Sequence, residues 1–361
     1  MLRRAISPAC RAPVCNRPVC NRSVCDGPFR SHSPVITVFR PDGAAQALPA
    51  ETDSAAAGAL AGAVWVDLVE PSRADEALAE RMLGIEIPTR DELKDIEPSS
   101  RLYTDGNAAY MTASLMVKAE SDLPFLTDVA FILTPERLLT VRYAEPRSFE
   151  IFRTAMRRIP GGCSSPTVMV TRLLETIVDR TAEILEIAVT RADKLSLEVF
   201  GDKRHLARRP PRYLEDRVVQ VSALHRLIAK TRDSLMSLSR VLTFLHGLPA
   251  LQSDRDSLEL CRTVTRDVQS LSEHANFVAG NITFLLDASL GLISLEQNAI
   301  IKIFSIASVV LLPPTLIASI YGMNFEFMPE LHVAYAYPLT LVAMVLSAIL
   351  PFFFFRWKGW L

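Results

Sequence analysis

The chain lacks the short motifs that mark the common classes of enzyme. It has no Walker loop for a nucleotide phosphate, no Gly-x-Ser-x-Gly nucleophile elbow, no His-Glu-x-x-His zinc motif and no Cys-x-x-Cys pair. Its six histidines are too far apart for any two to form a metal-ligand pair by spacing: His32, His205, His225, His246, His274 and His332. We therefore expect a protein that is not an enzyme and binds no organic cofactor.

The chain also lacks an excess of charge of either sign. Lys and Arg number 39 and Asp and Glu number 40, so the formal net charge is −1 at pH 7 and no nucleic-acid partner is expected. The mean hydropathy is nevertheless positive, at +0.21, although 22% of the residues are charged. A soluble part joined to a few membrane segments fits both values better than either class alone.

Cysteine is scarce outside the N-terminal stretch. Four of the six cysteines recur every five residues among arginines and prolines, at Cys10, Cys15, Cys20 and Cys25. This spacing matches no zinc site, and the stretch has no apolar segment of the kind a secretory signal needs. We expect residues 1–34 to be a disordered tail, or an extension from a start codon placed too early. An adventitious metal or redox site is the alternative.

The part of the chain over residues 35–160 is predicted to be a cytosolic α/β domain. It combines two helix-like stretches, at 72–83 and 89–96, with five β-branched runs: 35–39, 64–69, 109–117, 129–133 and 138–143. Ser72 followed three residues later by Asp75 is typical of a helix N-terminus.

Long helices are predicted after this domain. Residues 161–252 read as a helical hairpin, and residues 253–321 as one very long helix that forms a stalk and continues into a membrane. Apolar or small residues recur in the stalk at alternating steps of three and four, which is a heptad seam for packing against other helices. The seam comprises Cys261, Val264, Val268, Leu271, Ala275, Val278, Ile282, Leu285, Ser289 and Leu292.

Two apolar runs, residues 303–321 and 333–355, are long enough to span a bilayer. Positive residues flank them on one side, whereas the connecting loop, residues 322–332, contains acids and no Lys or Arg. The charged residues concerned are Lys302 before the first run, Glu326 and Glu330 in the loop, and Arg356 and Lys358 after the second run. The positive-inside rule then places both termini, including the basic tail 356–361, in the cytosol.

The first apolar run carries a row of small polar side chains. Asn298, Ser305, Leu312 and Ser319 are spaced by seven residues and share one side of a helix with Thr315. Polar groups at membrane depth indicate a wet or protein-facing side. The alternative is that the Ser and Thr hydroxyls only bond their own helix or a neighbouring one. A proline pair, Pro313-Pro314, predicts a kink or lost helix hydrogen bonds at mid-membrane.

The end of this run resembles the signature of the CorA family of magnesium transporters. Tyr321-Gly322-Met323-Asn324 follows the apolar run, and Met328-Pro329-Glu330-Leu331 comes just after it. The likeness extends over residues 35–361. It implies a funnel-shaped homopentamer in a bacterial inner membrane, with the long helix lining a pore and the second span forming an outer ring.

The resemblance also implies roles for individual residues. Gly322, Met323 and Asn324 would form the selectivity filter, and Glu326 and Glu330 would attract cations to its entrance. The pore would be lined by Asn298, Ser305, Leu312, Thr315 and Ser319. Asp95 and Asp287 would bind a regulatory Mg²⁺ between subunits, although Lys94 stands where relatives often have an acid. The alternative for both aspartates is a solvated surface carboxylate.

The implied function is a passive influx channel for Mg²⁺, driven by the membrane potential, gated by cytosolic Mg²⁺ and also open to Co²⁺ and Ni²⁺. Its partners would be further copies of itself, these ions and the lipid bilayer. Two alternatives stay open at this point. One is a transporter of zinc or another divalent cation from the same family, and the other is a membrane-anchored coiled-coil scaffold.

Overall fold

The structure is a computed structural model that describes residues 36–48, 58, 60–94, 97–121, 123–158, 163–201, 212–323, 328–329, 333 and 335–360. The N-terminal tail lies outside these residues. So do four of the predicted site residues: Asp95, Asn324, Glu326 and Glu330.

A seven-stranded mixed sheet forms the N-terminal domain, in the order β2-β1-β3-β7-β6-β5-β4. Only β3 and β7 are parallel, and the other neighbours are antiparallel. The strands are β1 (Ile36–Phe39), β2 (Ala45–Ala47), β3 (Trp65–Val69), β4 (Leu102–Asp105), β5 (Ala108–Val117), β6 (Phe125–Leu133) and β7 (Leu138–Arg142). All five predicted strands are present. The two edge strands β2 and β4 were not predicted, because they are short and mostly exposed and so carry no apolar alternation.

Helices lie on both faces of this sheet. Helix α1 (Arg73–Leu83) covers one face and α3 (Arg147–Met156) the other, with a single turn, α2 (Pro98–Arg101), between them in sequence. The predicted start of α1 is confirmed. The Ser72 hydroxyl accepts from the Asp75 backbone N–H and the Asp75 carboxylate accepts from that of Ser72, which is a complete capping box.

The helix predicted over residues 89–96 is wrong in its described part. Only a 3₁₀ turn, Glu92–Lys94, forms there. The Thr89 hydroxyl and backbone N–H both donate to the Glu92 carboxylate, so a helix-start signal is present without a helix. One buried side chain, Leu93, anchors the turn, and a longer helix would need a continuous apolar face that this stretch lacks.

In the described residues between the sheet domain and the connecting loop there are four helices. They are α4 (Pro166–Phe200), α5 (Tyr213–Gly247), the short α6 (Pro249–Gln252) and α7 (Arg255–Tyr321), and a final helix, α8 (Ala336–Trp357), follows the loop. The 67 residues of α7 give a length of about 100 Å. The predicted order of a domain of strands and helices, long helices and two apolar C-terminal helices is confirmed.

The heptad seam of α7 packs against other helices of the same chain. Eight of its ten residues are buried, and Leu271 and Leu292 are partly buried against the same core. The core that covers the seam is built by α4 and α5. The seam therefore holds the hairpin onto the stalk, and it does not by itself define contacts between copies of α7.

An acidic cluster between α4 and α7 is expected to make the stability of the fold depend on pH. Burial raises the pKa of Asp179, and the nearby Glu175, Asp267 and Glu183 raise it further. The folded state therefore holds this proton more tightly than the unfolded chain, whose aspartate titrates near 3.8. Ionised Asp179 therefore lowers the stability of the fold. This effect is fully present at pH values above the raised pKa and disappears as the pH falls towards 3.8.

Asp179→Asn is accordingly expected to raise the midpoint of thermal unfolding at pH 7. The gain should shrink as the pH is lowered, because protonated Asp179 and Asn are both neutral. Differential scanning fluorimetry across this pH range measures it, with Asp193→Asn on the same helix, outside the cluster, as the control. A lower midpoint for Asp179→Asn at pH 7 would contradict the prediction.

Candidate ion pathway

The last third of α7 and all of α8 are the two helices apolar and long enough to cross a membrane among the described residues. Only 6% of the most apolar window of α7 is buried within the chain, and none of that of α8. Core helices of soluble proteins bury such surfaces, whereas these leave them exposed. Both helices are thus of the kind that lipid or neighbouring subunits would cover.

Helix α8 packs on one side of α7 and leaves the polar row uncovered. In the apolar part of α7, Ile306 is buried and the partly buried residues lie near it around the helix: Lys302, Val310, Pro313, Pro314 and Ile317. At 100° per residue, this covered side is centred roughly 120° from the side that carries Asn298, Ser305, Leu312 and Ser319. The row is exposed along its length, so it is free to face a pore or another subunit.

The Thr315 hydroxyl, in the polar row, can still accept hydrogen bonds from a ligand. It donates to the carbonyl of Leu311 at 2.7 Å, within its own helix. Such a bond is expected if the Ser and Thr hydroxyls of the row only bond their own helix. It uses the hydroxyl proton, however, and leaves the acceptor lone pairs of the oxygen available. An acceptor with no free donor suits a hydrated cation, whose water molecules present hydrogens outward.

The proline pair lies inside α7 without ending it, because the helix runs unbroken from Arg255 to Tyr321. Since Pro313 and Pro314 have no N–H, the carbonyls of Val309 and Val310 lose their usual partners four residues on. Two backbone hydrogen bonds of the helix are therefore missing about one and a half turns before Thr315.

The pathway helix ends at the predicted filter. The Gly322 N–H donates to the carbonyl of Ala318 at 3.0 Å, and its φ of −86° is open to any residue. Glycine is favoured there by space, because a Cβ would lie 3.1 Å from the Ala318 oxygen. The Met323 side chain is 47% exposed, and Asn324 lies outside the described residues.

Of the predicted regulatory pair, the structure places only Asp287. It is an exposed carboxylate on the stalk, as a cation bridging two chains would require. Lys94, next to the predicted partner Asp95, forms an ion pair with Asp91 at 2.9 Å. The hydrogen bond from Lys94 holds the pKa of Asp91 below its usual value. Within the described ranges, no group of three or more His, Cys, Asp or Glu side chains is arranged to hold a metal.

Comparison with known proteins agrees with these features. Residues 61–357 match the family described as CorA-like Mg2+ transporter protein. The magnesium transport protein CorA of Pasteurella multocida is 35% identical over 304 residues, which cover 84% of this chain and 93% of that protein. The protein of the same name from Salmonella typhimurium is 36% identical over 306 residues, covering 84% and 93%.

Solved structures show the same fold. The complete structure of the CorA magnesium transporter from Methanocaldococcus jannaschii aligns with a TM-score of 0.69 at 17% identity, covering 91% of this chain and 99% of that one. The matched family and the named relatives are transport proteins and not enzymes, which confirms the prediction drawn from the missing catalytic motifs. The match over most of the chain, together with relatives above 30% identity, shows that this chain belongs to the CorA-like Mg²⁺ transporter family.

Proposed function

We propose that this chain is one subunit of a homopentameric magnesium channel in the inner membrane of a bacterium. The observation that carries the proposal is the polar row of α7, which α8 leaves uncovered and which leads to Gly322. Five such helices arranged around an axis would enclose a pore lined by these side chains. Helix α8 would then form the outer, lipid-facing ring.

The chemistry of the row and filter suits a hydrated divalent ion. Mg²⁺ gives up its water reluctantly and prefers octahedral oxygen geometry. Five Asn324 amide oxygens can accept hydrogen bonds from the hydration shell without removing it, so the ion is selected and still released. Thr315 would supply a second ring of oxygens and Asn298 a third at the cytosolic end. Glu326 and Glu330 would raise the cation concentration at the entrance.

Transport is driven by the membrane potential in this proposal. The chain has no nucleotide-binding motif, so no hydrolysis energy is available to it. An inside-negative potential contributes about 2.3 kcal/mol per charge per 100 mV, and a divalent ion gains about twice that. Co²⁺ and Ni²⁺, which carry the same charge and are similar in hydrated size, would also pass.

Cytosolic Mg²⁺ would close the channel from the sheet domain and stalk. An ion between Asp95 of one subunit and Asp287 of the next would offset the repulsion of the two carboxylates and hold the subunits together. Its loss would let the subunits separate and widen the pore at Leu312, where an apolar ring can close by dewetting. Lys94 stands next to Asp95 in the sequence, where relatives often have an acid. A lysine in place of an acid should weaken Mg²⁺ binding there.

Potential-driven uptake tests the function directly. Proteoliposomes holding the purified chain are given an inside-negative potassium diffusion potential, and Mg²⁺ entry is followed with a trapped fluorescent indicator. We expect uptake that increases with the potential and falls when internal Mg²⁺ is high. Oligomeric, folded protein that passes no divalent ion at any internal Mg²⁺ level would favour the scaffold. Uptake of Zn²⁺ without Mg²⁺ would favour the zinc transporter.

A further inference from the structure

The C-terminal end of α8 turns back on itself in a defined way. Gly359 is in the left-handed conformation at φ +69°, its N–H donates to the carbonyl of Arg356, and the Trp360 N–H donates to that of Phe355. These two bonds are the Schellman motif, and the apolar contact that accompanies it is the stack of Trp360 on Phe355 at 5.5 Å. The motif therefore determines where the Trp360 ring lies.

The Trp360 ring joins the ends of the two apolar helices. Lys302, at the start of the apolar part of α7, holds its ammonium 5.5 Å from the centre of this ring. Arg356 and Lys358 lie within the last turn of α8 and just beyond it, and both are exposed. Lys302 and the indole ring are thus in contact where both helices meet the cytosolic side of the membrane in the proposed orientation. Arg356 and Lys358 lie within four residues of that ring in the sequence, and the Lys358 ammonium is 5.7 Å from the centre of the neighbouring Phe354 ring.

This cluster has no counter-charge within the described part of the chain. Lys302 is the only charged residue between positions 297 and 325, and Arg356 and Lys358 are the only charged residues from 331 to 361. None of the three forms an ion pair with a described carboxylate, although eleven ion pairs occur elsewhere among those residues. An anion would complete the cluster.

We propose that Lys302, Arg356, Lys358 and Trp360 form a binding site for the headgroup of an anionic phospholipid in the cytosolic leaflet. The proposal rests on the proposed orientation of the two helices. A lipid phosphate is favoured because the cations end two membrane-length helices, where headgroups are concentrated. The exposed ring of Trp357, 83% accessible, adds an aromatic group of the kind that lies at the headgroup level.

A bound headgroup would also connect the pore helix to the outer helix. Lys302 belongs to α7 and Arg356 to α8, so one phosphate contacting both would hold the ends of the two helices together. Lys302 lies one turn from Asn298, which is proposed to line the pore. Occupancy of this site is therefore expected to affect how freely the cytosolic end of the pore moves.

Tryptophan fluorescence provides a specific test, because Trp360 belongs to this cluster, Trp357 lies three residues before it, and the third tryptophan, Trp65, is fully buried in the sheet domain. The full-length protein is reconstituted in phosphatidylcholine vesicles that contain either brominated phosphatidylglycerol or brominated phosphatidylcholine. We expect phosphatidylglycerol to quench at a several-fold lower mole fraction. Each cation replaced by Gln should remove part of this preference, and added salt should weaken it.

The control is the triple variant Arg255→Gln, Arg262→Gln and Arg266→Gln, which removes three exposed cations from the other end of α7. This control should prefer phosphatidylglycerol as the wild type does. The triple variant Lys302→Gln, Arg356→Gln and Lys358→Gln should lose that preference. Equal quenching by both lipids in the wild type, or a preference that survives loss of all three cluster cations, would overturn the proposal. Cations neutralised by a carboxylate of a second copy would give the first of these results.

The quenching requires no ion flux. A protein that prefers phosphatidylglycerol but passes no Mg²⁺ refutes the channel and leaves the lipid site standing. A protein that transports Mg²⁺ without any lipid preference refutes the lipid site alone.

Discussion

Asn324→Ala is expected to reduce potential-driven Mg²⁺ uptake to the level of protein-free vesicles. The substitution removes all five amide oxygens from the proposed filter at once, because the subunits are identical. A methyl ring offers no acceptor to the water around Mg²⁺, and a methyl-lined site cannot offset the cost of partly removing that water. Uptake is measured in proteoliposomes at matched protein density.

Asn276→Ala is the matched control, since Asn276 is an exposed asparagine in the stalk part of α7, outside the polar row and the apolar segment. It should transport at the wild-type rate. Size-exclusion chromatography of both variants tests whether the oligomer is retained. An Asn324→Ala oligomer that transports Mg²⁺ as fast as the wild type would remove Asn324 from the filter.

Asp67→Ala is expected to cause the largest loss of stability in the sheet domain, about 3–5 kcal/mol. Asp67 and Arg142 are both fully buried, on the parallel strands β3 and β7. The Arg142 guanidinium donates to the Asp67 carboxylate at 2.8 and 3.1 Å. The Arg142 guanidinium also lies over the Phe149 ring, with its central carbon 4.7 Å from the ring centre. Removing the carboxylate leaves this cation buried without its partner.

The carboxylate also ends a chain of hydrogen bonds from the centre of the core. The Trp65 indole N–H donates to the Thr140 hydroxyl at 2.9 Å, and that hydroxyl donates to Asp67 at 2.7 Å. Asp67→Ala therefore leaves a second buried donor, Thr140, unsatisfied. The structural loss should spread to the packing of Trp65 and change its fluorescence.

The midpoint of thermal unfolding of the purified protein measures the loss of stability in Asp67→Ala. Two further variants serve as comparisons. Glu136→Ala breaks an exposed ion pair with Arg137 and should cost less than about 1 kcal/mol. The double variant Asp67→Leu with Arg142→Met replaces both charges with apolar groups and should recover much of the stability lost in Asp67→Ala. A midpoint for Asp67→Ala equal to that of Glu136→Ala would show that the buried pair contributes little.

Local patterns in the sequence were sufficient for much of the fold. Five strands, the capped start of α1, the long helices and the two apolar helices each carry their own signal, in apolar periodicity, a capping pair or an uninterrupted apolar run. Elements without such a signal were missed or misassigned. Strands β2 and β4 depend on backbone pairing to a neighbour, and the 89–96 stretch starts like a helix but has no apolar face to bury.

The candidate site divides in the same way. The polar row on α7 and the residues at its end could be predicted from the sequence, because seven-residue spacing on a helix and a contiguous motif are both local. The packing of distant segments determines that α8 covers a side of α7 away from the polar row, that α4 and α5 pack against the heptad seam, and that Lys302 contacts Trp360. The partners of the buried pair, Asp67 and Arg142, are separated by 75 residues. The physical reason is that periodicity specifies which face of an element is apolar or polar, whereas the packing of distant segments determines what that face contacts.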